Sequence, residues 1–148
     1  MVLNLYVHLV SLFLNLCSDF TCYKLAQRLR QLVTELYERL DALRIKHGGQ
    51  RCIKDLVEVP QECPKSPIFS LLSQYPRSLA QYCQECGFVV RAVVPPTVPV
   101  GTQRIRVCVH SGNTTEEIVR LVESIEMWIL AKVKEGTVQE LSIEKPHL

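Results

Sequence analysis

Phe88-Val89-Val90-Arg91-Ala92-Val93-Val94-Pro95-Pro96-Thr97-Val98-Pro99-Val100-Gly101-Thr102-Gln103-Arg104-Ile105-Arg106-Val107-Cys108-Val109-His110 is the stretch that decides the fold. Residues 88–94 are rich in β-branched side chains and read as a strand. Pro95, Pro96 and Pro99 then impose a stiff extended turn over 95–101, because each fixes φ and biases the preceding residue away from helix. Residues 104–110 alternate polar and apolar, with Ile105, Val107 and Val109 on one face. That is the pattern of a half-buried strand. The connection between the two strands is too short for a crossover helix, so they are expected to run antiparallel.

Downstream, Asn113 with Glu116 three residues later predicts a helix start of the capping-box type. The helix continues through Ile118, Leu121, Val122, Ile125, Trp128 and Ile129 to about Lys134. Upstream, Gly87 ends a helix that Pro76 opens at a favoured first-turn position. The apolar run 67–72 before it predicts a further strand. Residues 48–66, broken by Pro60 and Pro64, read as an irregular linker. Residues 23–47 predict a long amphipathic helix, with Leu25, Leu29, Leu32, Leu36, Leu40 and Leu43 at helical spacing and charged residues between them. Together these elements predict an α+β fold, a small antiparallel or mixed sheet covered by helices and preceded by a long N-terminal helix.

Composition bounds the function. The 148 residues are 47% apolar and 22% charged, enough for one domain of ordinary size and unlike a disordered chain. The net charge of +2 is spread along the chain without a basic stripe, so no nucleic-acid partner is expected. Residues 1–20 are a separate apolar segment, and 1–18 carry no charged side chain. Asn4, His8, Ser11 and Asn15 form one polar stripe on a helix, which suits burial against protein. The length is marginal for a membrane anchor, which stays as the alternative. The seven cysteines are odd in number and irregular in spacing, which predicts reduced thiols in an intracellular, cytoplasmic setting. Cys83-x-x-Cys86 has no second ligand pair at zinc-site spacing and reads as two small residues on one helix.

The motif Pro96-Thr97-Val98-Pro99-x-Gly101-Thr102, followed by Arg104-x-Arg106, resembles the C-terminal small domain of the α-oxoamine synthases, pyridoxal-phosphate enzymes of fold type I. The likeness extends over about 21–134 and is nearest to the branch of the family that serves biotin synthesis. It implies a domain over 21–148. It also implies a parent acyltransferase that uses pyridoxal phosphate to condense an amino acid with an acyl-CoA thioester. On this resemblance Arg106, the second arginine of the pair, binds the amino-acid carboxylate. An arginine fork suits that task, because two parallel N–H···O bonds fix both position and plane. Thr97, in the proline turn, lies where the family approaches its substrate. Arg104 is read as structural. Where the family usually carries a histidine before its last helix, this chain has Asn113, and His110 is a strand-end residue that inherits no role.

The resemblance also implies what this sequence lacks. In the family a large domain holds the Schiff-base lysine and most cofactor ligands. None of Lys24, Lys46, Lys54, Lys65, Lys132, Lys134 and Lys145 stands in that lysine motif. The expectation is a fragment, inactive and without cofactor on its own, whose partner is a large pyridoxal-phosphate domain or a full-length homologue. The alternatives are a non-catalytic module that docks on such a homologue, as the family's dimers suggest, and a small membrane-associated protein. Lys145-Pro146-His147-Leu148 has a faint likeness to a peroxisomal address.

Overall fold

A computed structural model of the chain describes residues 2–47 and 56–143, with side chains over 20–47 and 56–136. The elements are α1 (Val2–His47), β1 (Ile68–Leu72), α2 (Pro76–Glu85), β2 (Arg91–Val93), β3 (Arg104–Cys108) and α3 (Thr115–Ile143). This is the expected α+β architecture. The sheet is wholly antiparallel in the order β1-β3-β2, so β3 is its centre.

The backbone of α1 runs without a break across the boundary expected near residue 20. The side chains of 2–19 are outside the described residues, and so is the choice between buried helix and anchor. Among the described residues no helix is long and apolar enough to cross a membrane. Among the described side chains of α1, burial is confined to the last turns. Leu32, Val33, Leu36, Leu40 and Leu43 enter the core, whereas Leu25 is 48% exposed and Leu29 only packs against the core's edge. That stripe faces Ile118, Leu121, Val122, Ile125 and Ile129 in the same apolar cluster, with α1 packed on α3. Polar contacts also span the two helices. Glu126 Oε1 accepts from Lys46 Nζ at 2.7 Å and lies 2.8 Å from His47 Nε2. Thr115 Oγ1 donates to Glu35 at 3.1 Å.

The helix α2 ends in a Schellman motif. The Gly87 N–H donates to the Gln84 carbonyl and the Phe88 N–H to the Cys83 carbonyl, both at 2.9 Å, with Gly87 at φ +92°. This corrects the strand expected over 88–94. The Phe88 amide belongs to the helix end, the Val90 amide donates back to the Phe88 carbonyl, and Gln84 Nε2 donates to the Val90 carbonyl. Regular pairing with β3 therefore starts only at Arg91.

The helix start at α3 also moves by one residue. Thr114 Oγ1 accepts from the Glu117 N–H at 3.2 Å, and Glu117 Oε2 accepts from the Thr114 N–H at 3.1 Å. The capping box is thus Thr114 with Glu117, not Asn113 with Glu116. Asn113 sits just outside it, accepting from the His110 N–H and donating to Glu117.

Within the segment expected to be an irregular linker, 48–66, the described part joins the core. Leu56, Val57 and Val59 are buried, and Glu58 exchanges both backbone hydrogen bonds with Leu72 at the outer edge of β1.

Candidate functional site

The two faces of the sheet differ because alternate residues of each strand project to opposite sides. Phe69, Leu71, Ile105 and Val107 point inward and are buried beneath the helices. The opposite face carries Ile68, Ser70 and Leu72 from β1, Arg104, Arg106 and Cys108 from β3, and Arg91 and Val93 from β2. Arg106 is exposed at the middle of this open face. The register sets Ser70 on one flank of it and Arg91 on the other. Its guanidinium has no hydrogen bond or ion pair among the described residues.

Arg104 lies on the same face one row away and is half-buried. Its Nε donates to the Thr102 carbonyl at 3.0 Å, which ties it to the turn. The spacing of the two arginines thus places them on one side, as the sequence predicts, and their hydrogen bonding separates them. One is tethered and the other is open.

The proline turn has two halves. The Thr97 N–H donates to the Val94 carbonyl at 3.0 Å across Pro95 and Pro96, which are joined by a cis bond, giving a type VI turn. The Thr102 N–H donates to the Pro99 carbonyl at 3.1 Å, with Gly101 at φ +86°, the conformation a type II turn requires at that position. Gln103 Oε1 accepts from the Gly101 N–H at 2.9 Å. Thr97 is exposed in this connection, at the end of the sheet where Val93 faces Arg104. No hydrogen bond joins it to Arg106, which stands one row further in.

The remaining reactive groups are held elsewhere. Burial, with the neighbouring Cys86, pushes the Cys83 thiol up to about 11, so this cysteine is an inert core residue. The five described cysteines, Cys22, Cys63, Cys83, Cys86 and Cys108, are all free. No group of metal-ligating side chains occurs among the described residues. His110 caps its own loop, its Nδ1 accepting from the Gly112 N–H at 3.0 Å.

The family described as aminotransferase class I and II matches residues 16–125. The chain belongs to that family. It is 43% identical over 106 residues to the 8-amino-7-oxononanoate synthase of Emericella nidulans, a match that covers 72% of this chain and 24% of that protein. It is 32% identical over 88 residues to the enzyme of the same name from Stutzerimonas stutzeri, covering 59% of this chain and 22% of the relative. The crystal structure of 8-amino-7-oxononanoate synthase from Francisella tularensis superposes with a TM-score of 0.53 at 26% identity, over 74% of this chain and 29% of that one. The chain thus spans about a quarter of the length of the curated relatives it matches.

The family is one of pyridoxal-phosphate enzymes, and the described residues do not fit that cofactor. A Schiff-base site needs a sheltered lysine amine free of ion pairing, and a separate charged partner for the pyridine nitrogen. Lys24, Lys65 and Lys134 are exposed. Lys46 is bonded to Glu126 at a helix end, and Lys132 to Glu135 on the surface of α3. Lys54 and Lys145 are outside the described residues.

Proposed function

We propose that the chain is the C-terminal domain, over 21–148, of a pyridoxal-phosphate acyltransferase like 8-amino-7-oxononanoate synthase. Such an enzyme condenses an amino acid with an acyl-CoA thioester in biotin synthesis. In this reading Arg106 is the anchor for the amino-acid carboxylate, and Thr97 borders the same site from the proline turn. The observation that carries the reading is the state of Arg106. It is a guanidinium at the centre of an open sheet face, without an acid of its own among the described residues, on a strand whose other face is locked into the core. A planar carboxylate is the ligand that two parallel N–H donors fit best. The cofactor and the lysine that holds it belong, in this reading, to a large domain or a full-length homologue against the open face. The 148-residue chain alone then binds no cofactor and has no activity.

The poor fit of the described lysines to pyridoxal phosphate also favours a second reading, a non-catalytic module that docks on a full-length synthase. Intact mass separates the two. Native protein captured with an antibody against 116–134 should have a mass several times 16.9 kDa if the sequence is a domain of a synthase. A native mass of 16.9 kDa would reject that reading, and co-purification with a full-length homologue would then establish the module.

A further inference from the structure

We propose that Arg91 is the second arm of the carboxylate site, so that two guanidiniums from neighbouring strands hold one anionic group. The inference rests on the reading of Arg106 as the anchor and adds a residue that the sequence motif does not mark. Arg91 and Arg106 are direct partners in the antiparallel register of β2 and β3. Direct partners project to the same face with Cα atoms about 4.5–5.5 Å apart. Both are exposed. Neither has a hydrogen bond, ion pair or aromatic contact among the described residues.

Like charges placed directly opposite each other across two strands are destabilising. The cost persists unless something negative lies between them. Most other described arginines are already engaged. Arg39 pairs with Glu35, Arg44 with Asp41, and Arg28 and Arg104 donate to backbone carbonyls. Arg30 and Arg77 are also unpaired, but each stands singly on a helix surface, where water screens it. Among the described arginines, only Arg91 and Arg106 are both unpaired and face to face. Their row holds no carboxylate. Its third member is Ser70, which brings a hydroxyl to the other flank of Arg106. The acid on this face is Glu58, at the edge of the sheet in the neighbouring row and separated from Arg104 by Leu72. A carboxylate seated between the two guanidiniums would relieve the repulsion and accept charge-assisted bonds from both.

The test uses the 148-residue chain, labelled with nitrogen-15, and follows the arginine Nε–Hε resonances during titration with acetate. Sodium chloride at equal ionic strength is the reference. The expected result is a saturable shift of both Arg91 and Arg106 with a single affinity. R91Q should then weaken acetate binding about tenfold, in line with the loss of one charge-assisted bond. R91T, whose β-branched side chain suits a strand, gives the same answer if the glutamine disturbs β2. Affinity unchanged in both variants, while R106Q abolishes it, overturns the second arm and leaves the anchor standing. Affinity unchanged in R106Q overturns the anchor instead. Wild-type resonances that move no more in acetate than in chloride overturn the two-armed site, while the intact mass still decides the family function separately.

Discussion

The inner and outer faces of the sheet are built from the same strands, one residue out of phase. Inside, Phe69, Leu71 and Ile105 are fully buried, and the backbone groups around them are paired. Outside, Ile68 is 38% exposed, and Arg91, Arg106 and Cys108 stand in the open. The inner residues are interchangeable in chemistry and fixed in volume. On the outer face Arg104 is tied to the turn, whereas Arg91 and Arg106 have no hydrogen bond or ion pair among the described residues. Two arginines facing each other on the central strand and its neighbour add nothing to the core. The contrast separates the residues that hold the fold together from those that stand free of it among the described residues.

Three measurements can break or sharpen that contrast. The largest effect is expected in thiol chemistry. Cys108 lies on the outer face and Cys83 is fully buried, with its thiol pushed up to about 11. At neutral pH Cys83 should hold roughly a hundredfold less thiolate than an ordinary cysteine, and access reduces its rate further. Alkylation followed by peptide mass spectrometry should label Cys108 early and Cys83 only on unfolding. Equal rates would mean that the inner layer is open.

Next comes stability. Ile105→Ala removes a fully buried side chain from the central strand and should cost about 2–5 kcal/mol in urea unfolding, with an unchanged denaturant slope. Arg106→Gln, the next residue on the same strand, should stay within about 0.5 kcal/mol of wild type. Similar losses for both would erase the distinction between the faces.

The smallest effect concerns the helical layer behind the inner face. Hydrogen bonds from Lys46 and His47 hold the Glu126 carboxyl below its ordinary value. A lowered folded-state value means that the tie between α1 and α3 is fully present above the unfolded value, about 4.3. It is lost as the pH falls through the lowered one. Lys46 is largely exposed, so the contribution should be below about 1 kcal/mol. Glu126→Gln should flatten the acid limb of the stability profile in that window. An unchanged acid limb would show that the packing of Leu36 and Leu40, rather than this charge cluster, sets the helix pairing.

Much of the fold was legible because local pattern and tertiary burial agree. The alternation through Ile105 and Val107 identified β3, the short proline connection implied an antiparallel partner, and Gly87 marked the end of α2. The misreadings have a common cause in backbone hydrogen bonding, which sequence pattern does not display. Val89 and Val90 look like strand, but the Schellman bonds at Cys83 and Gln84 draw their neighbours to the helix end. Thr114 and Glu117 form the capping box because the Asn113 carboxamide already serves His110. The candidate site divides in the same way. Arg106 was named through the resemblance of its motif to the α-oxoamine synthases, its spacing from Arg104 giving only the shared face. Arg91 was not, because its position opposite Arg106 exists only once the register is known. The strand order β1-β3-β2 was equally hidden, since 67–72 could have joined either neighbour.

The margins of the sheet have a consequence for how this chain behaves in a crowded solution. A strand with free amides and carbonyls along its rim is a template for another chain, and repeated addition leads to fibres. Here the Glu58 bridge engages the rim of β1 at Leu72. The other consists of only three residues, and Pro95 and Pro96, which have no amide hydrogen to donate, follow almost at once. The length of rim left for edge-to-edge addition is therefore short at Leu72 and along β2, while the outer face of the sheet stays broad.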